Sequence, residues 1–142
     1  MDAIDTLVTE HQLIERMMSV FSKALRRIES GDAIDAYFIE SAHEFIAMYA
    51  DRTHHGKEEE ILFATLSGKP LSSEDSRAMS QLVSEHAMSR KLTAAIFEAN
   101  RRLRQGDDSA RSLIVQSFQS LVTFYPRHIE KEDQGFFPAI QK

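Results

Sequence analysis

The chain carries one spacing twice, first in His54-His55-Gly56-Lys57-Glu58-Glu59-Glu60-Ile61-Leu62-Phe63 and again in His128-Ile129-Glu130-Lys131-Glu132. In each copy a glutamate follows a histidine by four residues, which places both side chains on one face of a helix. A lone histidine precedes each copy by 43 or 42 residues, at His11 and at His86. The sequence thus supplies two sets of two imidazoles and one carboxylate, which suit a pair of non-haem metal ions.

Length and composition exclude several classes of function. With 142 residues and 16.2 kDa, residues 1–142 are predicted to form a single domain. The 22 acidic and 17 basic residues are interspersed, with a net charge of -5, so no basic face is predicted for nucleic acid or a membrane surface. Cysteine is absent, which excludes disulfides, thiolate zinc sites and iron-sulfur clusters. Any metal would be held by nitrogen and oxygen.

The N-terminus and the hydropathy predict a cytoplasmic protein. The first residues, Met1-Asp2-Ala3-Ile4-Asp5, lack the basic flank and the apolar block of a secretion signal. No run approaches the roughly 18 consecutive apolar residues of a membrane span. Neither the composition nor the motifs specify an oligomeric state.

Turn-forming residues divide the chain into four segments. They stand at residues 30–32, 67–70 and 105–108, as Ser-Gly-Asp, Ser-Gly-Lys-Pro and Gln-Gly-Asp-Asp. Asp32 and either Ser72 or Ser73 are the predicted N-caps of the second and third helices. Because the segments are far longer than strands, we predict an all-α fold, an up-down-up-down antiparallel four-helix bundle.

Each predicted helix carries a histidine within its apolar stripe. The first stripe has the three-and-four spacing of an amphipathic helix and comprises Ile4, Leu7, His11, Ile14, Met18, Phe21, Leu25 and Ile28. The others comprise Ala47, Ala50, His54, Glu58 and Ile61, then Met79, Leu82, Val83, His86 and Ile96, and finally Ile114, Phe118, Leu121, Tyr125, His128 and Glu132. Since the histidines lie at similar distances from the turns that join their helices, we expect them at one level of the bundle.

Side chains at this common level predict a metal centre with the ligands His11, His54, Glu58, His86, His128 and Glu132. Two unpaired carboxylates in an apolar core would cost several kcal/mol each, and divalent cations reverse that cost. Each carboxylate has two oxygens. One glutamate from each half can therefore bridge two ions, while the histidines divide two to each ion.

The second helix offers two registers, His54 with Glu58 or His55 with Glu59. The first histidine aligns with the apolar positions of its stripe, whereas the second shares its face with polar residues that prefer water. We therefore predict the first pair as ligands. The residues predicted to face solvent, with contact beside the metal as the alternative, are His55, Glu59 and Glu60.

Two further residues lie on the inward faces. His43 is roughly 16 Å from His54 along the helix, so we expect a core or surface position, or else one that lines an entry path. Tyr125 lies one turn before His128, where the alternatives are packing in the core, donating a hydrogen bond beside the metal, or ligating iron.

The quoted residues resemble the hemerythrin-like, or HHE cation-binding, family. Residues 54–63 are similar to the second-helix motif of that family, and residues 128–132, followed by Phe136-Phe137-Pro138, are similar to its fourth. The lone histidines occur as Glu10-His11 and Glu85-His86, at the expected places on the first and third helices. The resemblance covers nearly the whole chain.

The resemblance implies two iron ions joined by an oxo or hydroxo bridge, with His11 and His54 on one iron, His86 and His128 on the other, and Glu58 and Glu132 between them. Oxygen-carrying hemerythrins have a fifth histidine one turn after the third-helix position. This chain has Arg90 there, which stays protonated and cannot ligate. It is in this respect similar to the bacterial iron-sulfur repair and nitric-oxide-responsive members. The cysteine-containing N-terminal domain typical of those members does not occur within residues 1–142, which contain no cysteine.

These observations give three hypotheses for function. The first is a redox-active di-iron protein that binds or reduces dioxygen, nitric oxide or peroxide, with a reductase as a further partner. The second is a non-catalytic iron store, donor or sensor, including support of iron-sulfur repair, and the third is a zinc-loaded or metal-free structural bundle. Apart from Tyr125 no general acid is evident, so the sequence does not decide whether the centre turns over.

Overall fold

The computed structural model describes residues 2–142, which fold into long helical segments. These are α1 (Ala3–Glu29), α2 (residues 36–67), α3 (Ser73–Arg104) and α4 (residues 110–140), and the described residues contain no strand. Within residues 2–142, no helix has both the length and the apolar character that crossing a bilayer requires. The predicted all-α fold is confirmed.

Hydrogen bonds between helix ends establish how the segments run. The Arg111 guanidinium at the start of α4 donates to the Ile28 carbonyl at the end of α1, at 2.7 Å. The Asn100 amide near the end of α3 donates to the Ala36 carbonyl at the start of α2, at 3.2 Å. Because a short connection also joins α1 to α2, all these ends lie together, as in an up-down-up-down bundle.

The helix caps agree with the predicted turns, with one correction. Ser72 is the N-cap of α3, and its hydroxyl accepts a hydrogen bond from an amide of the first turn. The N-cap of α2 is Asp35 rather than Asp32, because residues 32–35 form an irregular connection before the helix begins. The chain leaves α1 through Gly31 at a φ of 112°, a left-handed conformation that favours glycine.

Two segments contain π-helical stretches close to the predicted ligands. In α2 these are Phe45–His55 and Glu58–Phe63, and in α4 the stretch is Lys131–Phe136. A π-helix closes its hydrogen bonds over five residues rather than four, so more residues fit into each turn. The Thr53 hydroxyl takes the same five-residue step when it donates to the Met48 carbonyl at 2.8 Å. Inward positions in these stretches therefore advance by four or five residues.

This winding corrects one predicted stripe. Ile61, predicted to face inward, is 61% exposed, and Phe63 is buried instead, five residues after Glu58. On α3 the prediction for Val83 is also wrong. Its side chain is 39% exposed because the neighbouring Leu82 occupies the inward face.

The apolar core consists of two clusters with a polar layer between them. The larger cluster lies toward the turn at Gly106 and includes Ile14, Phe21, Ile96, Ile114, Leu121 and Tyr125. The smaller cluster lies toward the other end and includes Leu7, Phe63, Leu82, Phe136 and Phe137. Along α1 the polar layer falls at His11, between Leu7 and Ile14. The two clusters thus shield the layer from both ends of the bundle.

A pair of leucines on α4 tests this assignment of the core. Leu121 is 0% exposed and Leu113 is 40% exposed. We expect Leu121→Ala to lower the free energy of unfolding by about 2 to 5 kcal/mol, because it leaves a cavity in the larger cluster. Leu113→Ala should change it by about 0.5 kcal/mol or less. Chemical denaturation measures both, and equal losses would contradict the assignment.

Candidate metal centre

Six side chains converge in the polar layer, and each is at most 1% exposed. The helices α1 and α3 each supply one histidine, while α2 and α4 each supply a histidine and, four residues later, a glutamate. The structure therefore brings together every residue that the sequence predicted for the site, namely His11, His54, Glu58, His86, His128 and Glu132.

The four histidines form two pairs. The ring centroids of His11 and His54 are 4.6 Å apart, and those of His86 and His128 are 4.9 Å apart. In the second pair the two Nε2 atoms are 3.1 Å apart. Two nitrogen ligands at about 2.1 Å from one ion, at right angles, are separated by roughly 3.0 Å. This pair is therefore spaced as two ligands of a single ion.

Glu58 lies between the two histidine pairs. Its Oε1 atom is 2.7 Å from His54 Nε2 and 3.5 Å from His11 Nε2. Its Oε2 atom is 3.0 Å from His86 Nε2. One oxygen of this carboxylate therefore faces each pair.

Glu132 repeats the arrangement from α4. Its Oε1 atom is 2.5 Å from His128 Nε2 and 3.9 Å from His86 Nε2, whereas its Oε2 atom is 4.0 Å from His11 Nε2. Both carboxylates thus direct one oxygen at each histidine pair. Bridging two ions requires this placement of carboxylate oxygens.

Hydrogen-bond geometry tests whether these atoms fit a metal. The Nε2 atoms of His11 and His54 and both oxygens of Glu58 and Glu132 are buried, yet none has a protein partner with hydrogen-bond geometry. Their short separations lack the angles that a hydrogen bond needs. Buried polar atoms in native proteins are normally satisfied. Because these point at a common space, the donor set fits cations.

Each histidine of the layer also faces a carboxylate with its other ring nitrogen. The Nδ1 distances are 2.7 Å from His11 to Asp133, 3.1 Å from His54 to Glu10, 3.0 Å from His128 to Glu85 and 3.6 Å from His86 to Glu59. The first three contacts are hydrogen bonds, whereas His86 Nδ1 lies beyond hydrogen-bond distance of Glu59. A carboxylate that accepts from Nδ1–H fixes the tautomer and leaves the Nε2 lone pair for a metal. Histidine ligands of metals are commonly supported in this way.

Two lysines hold the supporting glutamates in place. Lys57 Nζ is 2.6 Å from Glu10 Oε2, and Lys131 Nζ is 2.8 Å from Glu85 Oε2. Burial alone would raise the pKa of each glutamate, but its lysine and histidine partners lower it overall. Sequence reasoning missed these four residues. Their signal was present, because Glu-His and His-x-x-Lys-Glu each occur twice with the ligands.

The remaining supports cross between the halves of the chain. Glu59 on α2 faces His86 on α3, and Asp133 on α4 faces His11 on α1. The side chain of Glu59, predicted to face solvent, is only 26% exposed, since it also pairs with Arg90 at 3.2 Å. Each of these acids directly follows a glutamate of the central layer. The supports therefore link all four helices around the layer.

The charges in the layer favour cations. Burial alone would lower the pKa of His11, but Asp133 and Glu58 outweigh it and raise the pKa to about 10. Burial alone would also lower the pKa of His86, but Glu132 and Glu58 outweigh it and raise the pKa to about 9. Burial would raise the pKa of Glu58, but the surrounding imidazoles hold it well below its usual range. The layer thus stabilises positive charge, as protons or as metal ions that replace them.

The prediction that His55 faces solvent is wrong. Its side chain is 0% exposed, and its ring stacks on that of His86 with centroids 3.9 Å apart. The π-helical winding turns successive residues by less than the roughly 100° of an α-helix, so His54 and His55 both reach the interior. The ring of His55 lies with its Nδ1 atom 3.2 Å from Asp51 Oδ1. Burial lowers the pKa of His55 to about 3, so the imidazole is neutral.

The other predicted residues lie beside the layer or outside it. Tyr125 is 0% exposed, and its hydroxyl is 2.8 Å from the hydroxyl of Ser89. Burial raises the pKa of this tyrosine well above its usual range, so it stays protonated. His43 packs against Phe97 with ring centroids 5.1 Å apart, and Glu60 is exposed as predicted. None of these residues joins the six that converge.

Comparisons with known proteins agree with this geometry. Residues 2–140 match the family model of the hemerythrin HHE cation-binding domain. Three uncharacterised proteins, from Mycobacterium bovis and from two strains of Mycobacterium tuberculosis, are each 24% identical to the chain over 141 residues. These matches cover 98% of the chain and 53% of each relative, so the chain spans about half the length of the curated relatives it matches. No solved structure matches the chain at a significant level.

The duplicated supports predict matched effects on cation binding. We expect Glu10→Gln and Glu85→Gln each to weaken the affinity for a divalent cation by about 10- to 100-fold, because each loosens one histidine and its tautomer. Glu60→Gln is the control, since Glu60 is exposed on the same helical segment as His54. Competition with a chromogenic chelator measures the three affinities. Affinities like that of the control in both support variants would contradict this role.

Proposed function

Because the chain belongs to the hemerythrin HHE cation-binding family, we propose that it is a non-haem di-iron protein. In this proposal two iron ions, joined by an oxo or hydroxo bridge, are held by His11, His54, Glu58, His86, His128 and Glu132. The observation that carries it is the placement of the two glutamates, each with one oxygen toward each histidine pair. A single ion would leave carboxylate oxygens unsatisfied in an apolar core, at a cost of several kcal/mol.

The donor set supports the choice of iron. Calcium and magnesium prefer sites made entirely of oxygen ligands, and structural zinc prefers four ligands in a closed tetrahedron. Mixed imidazole and carboxylate ligands with open positions are typical of non-haem iron. The chain contains no cysteine, so thiolate does not compete for the metal.

The enclosure of the layer supports small oxidants as ligands, namely dioxygen, nitric oxide or peroxide. A bound pair of iron ions supplies redox chemistry and open coordination positions for such molecules. The chain itself fixes the tautomers of the ligands and excludes bulk water through the apolar clusters on both sides. Because each of the six converging side chains is at most 1% exposed, a large substrate cannot reach them unless the helices move apart. A reductase partner would return electrons to the centre.

Arg90 supports reaction rather than reversible oxygen carriage. Its side chain is 45% exposed and pairs with Glu59, so it supplies no ligand. Each ion would then have only two imidazoles from the six-residue set. Open coordination positions on both ions would let an oxidant contact both of them. This favours reaction with the oxidant over its reversible binding at one ion.

Metal analysis combined with the optical spectrum tests the proposal. The native protein should contain about two iron ions per chain, the number that two bridging carboxylates satisfy. Glu58→Ala and Glu132→Ala should each lose most of this iron, because either change removes a ligand from both ions, while Glu60→Ala should retain it. The reduced native protein should then be oxidised rapidly and irreversibly by at least one of dioxygen, nitric oxide and hydrogen peroxide.

Two results would contradict the proposal in different ways. Unchanged iron content in both carboxylate variants would reject the site. A different result would be that the protein loads iron fully, reacts with none of the three oxidants and releases the iron to a chelator within minutes. That result would reject the redox role and favour an iron store or donor.

A further inference from the structure

A pocket of about 600 Å³ opens on the surface between α3 and α4. Its lining includes Glu85 and Met88 from α3 and Phe124, Arg127 and Lys131 from α4. The volume lies within the range of about 300 to 1,000 Å³ that is usual for sites of small organic ligands. None of these lining residues is among the six that converge in the polar layer. The pocket is therefore a second candidate site.

The pocket lies one side chain away from His128. The ring of Phe124 stacks on that of His128, with centroids 5.2 Å apart and planes inclined by 22°. On the opposite wall, Glu85 Oε1 is 3.0 Å from His128 Nδ1. A molecule that contacts Phe124 in the pocket is thus separated from this imidazole by a single aromatic ring.

Positive charge and apolar surface adjoin in the pocket. Arg127 is exposed and within residues 2–142 forms no ion pair, whereas Lys131 is held by Glu85. A guanidinium matches the geometry of a phosphate group and binds it through two hydrogen bonds. Met88, 45% exposed, and Phe124 supply a thioether and an aromatic ring, which pack against planar rings. The pocket therefore suits a planar aromatic molecule that carries a phosphate.

The proposed function requires electrons from outside the chain. Because each of the six converging side chains is at most 1% exposed, an electron donor cannot touch ions held among them. Hydride transfer from a nicotinamide requires direct contact with the acceptor. A flavin can instead release its electrons one at a time. Flavin mononucleotide combines this chemistry with the planar ring system and the phosphate group that the pocket suits.

We propose that the pocket between α3 and α4 binds reduced flavin mononucleotide, which supplies electrons to the metal centre on the side of His128. This inference rests on the proposed di-iron function. The phosphate pairs with Arg127, and the ring system lies against Met88 and Phe124. The fully reduced neutral flavin loses two electrons and two protons. The electrons reduce two ferric ions to ferrous ions, and the protons pass to water. The reductase partner then needs to reduce only the flavin.

Titration of the native protein with oxidised flavin mononucleotide or riboflavin, followed by flavin fluorescence, tests the pocket itself. Arg127→Glu should raise the dissociation constant for flavin mononucleotide about tenfold or more, because it removes a charge-assisted hydrogen bond. Riboflavin lacks the phosphate, so its dissociation constant should change by about twofold or less. Met88→Ala should weaken both ligands by the same factor, since both contain the ring system. Arg16→Glu, the same change at an exposed position on α1, is the control.

Anaerobic mixing of the oxidised, iron-loaded protein with reduced flavin mononucleotide tests the electron transfer. The rate of flavin oxidation should saturate as the flavin concentration rises. The half-saturating concentration should increase about tenfold in Arg127→Glu, whereas Arg16→Glu should match the native protein. Iron content should be the same in all these proteins.

Several results would overturn the inference. They are no binding of flavin mononucleotide to the native protein, equal losses of flavin mononucleotide and riboflavin affinity in Arg127→Glu, and a rate that rises linearly without saturation. Loss of iron from Arg127→Glu would also overturn it, in favour of a role in supporting His128.

The proposed function and this inference fail in different ways. A native protein that loads no iron rejects the proposed function and, with it, the electron transfer inferred from the pocket. A native protein that loads iron and reacts with an oxidant, but binds no flavin mononucleotide, rejects only the role of the pocket.

Discussion

The structure depends on the burial of two carboxylates, Glu58 and Glu132, in the middle of an apolar bundle. Both side chains are 0% exposed and lie between the two apolar clusters. An isolated buried carboxylate costs several kcal/mol unless positive charge compensates it. Four imidazoles surround the pair. Protons on some of these imidazoles supply that charge in part. Bound cations would supply it in full and would also use the lone pairs that hydrogen bonds leave free.

The shape of the site is determined by residues behind the ligands as much as by the ligands. Each histidine of the layer faces a carboxylate, and two of these carboxylates are held by Lys57 and Lys131. The supports repeat with the chain's internal duplication, and the acids that follow the central glutamates reach across to the other half. Every helix is consequently tied to two others through the layer. Preorganised ligands lose little entropy when a cation binds, which favours tight binding.

The symmetry of the two halves is broken next to the second histidine pair. There α2 contributes His55, which stacks on His86, and α3 carries Arg90 in place of a further ligand. The ionised Asp51 and its hydroxyl partners occupy the adjoining positions. The two histidine pairs therefore have unequal surroundings.

Much of the fold followed from residue spacing, because stripes such as that of α1 are set by the regular α-helical turn. All members of that stripe from Leu7 to Ile28 are buried. The six convergent residues were likewise predictable, since the histidines lie at similar distances from the three turns, which places them at one height. The errors at His55 and Ile61 have a single cause, the π-helical winding of α2, which no residue spacing based on 3.6 residues per turn reveals. Asp35 replaced Asp32 as a cap because the length of an irregular connection is not encoded in a periodic pattern.

The most direct test of the central claim is anomalous diffraction at the iron absorption edge from crystals of the iron-loaded protein. The account predicts two peaks, about 3.5 to 4 Å apart. One should lie beside His11 and His54, the other beside His86 and His128, with Glu58 and Glu132 reaching both. The claim that these six side chains hold a pair of iron ions would be contradicted by a single peak in the layer. It would also be contradicted by iron bound elsewhere and no peak in the layer.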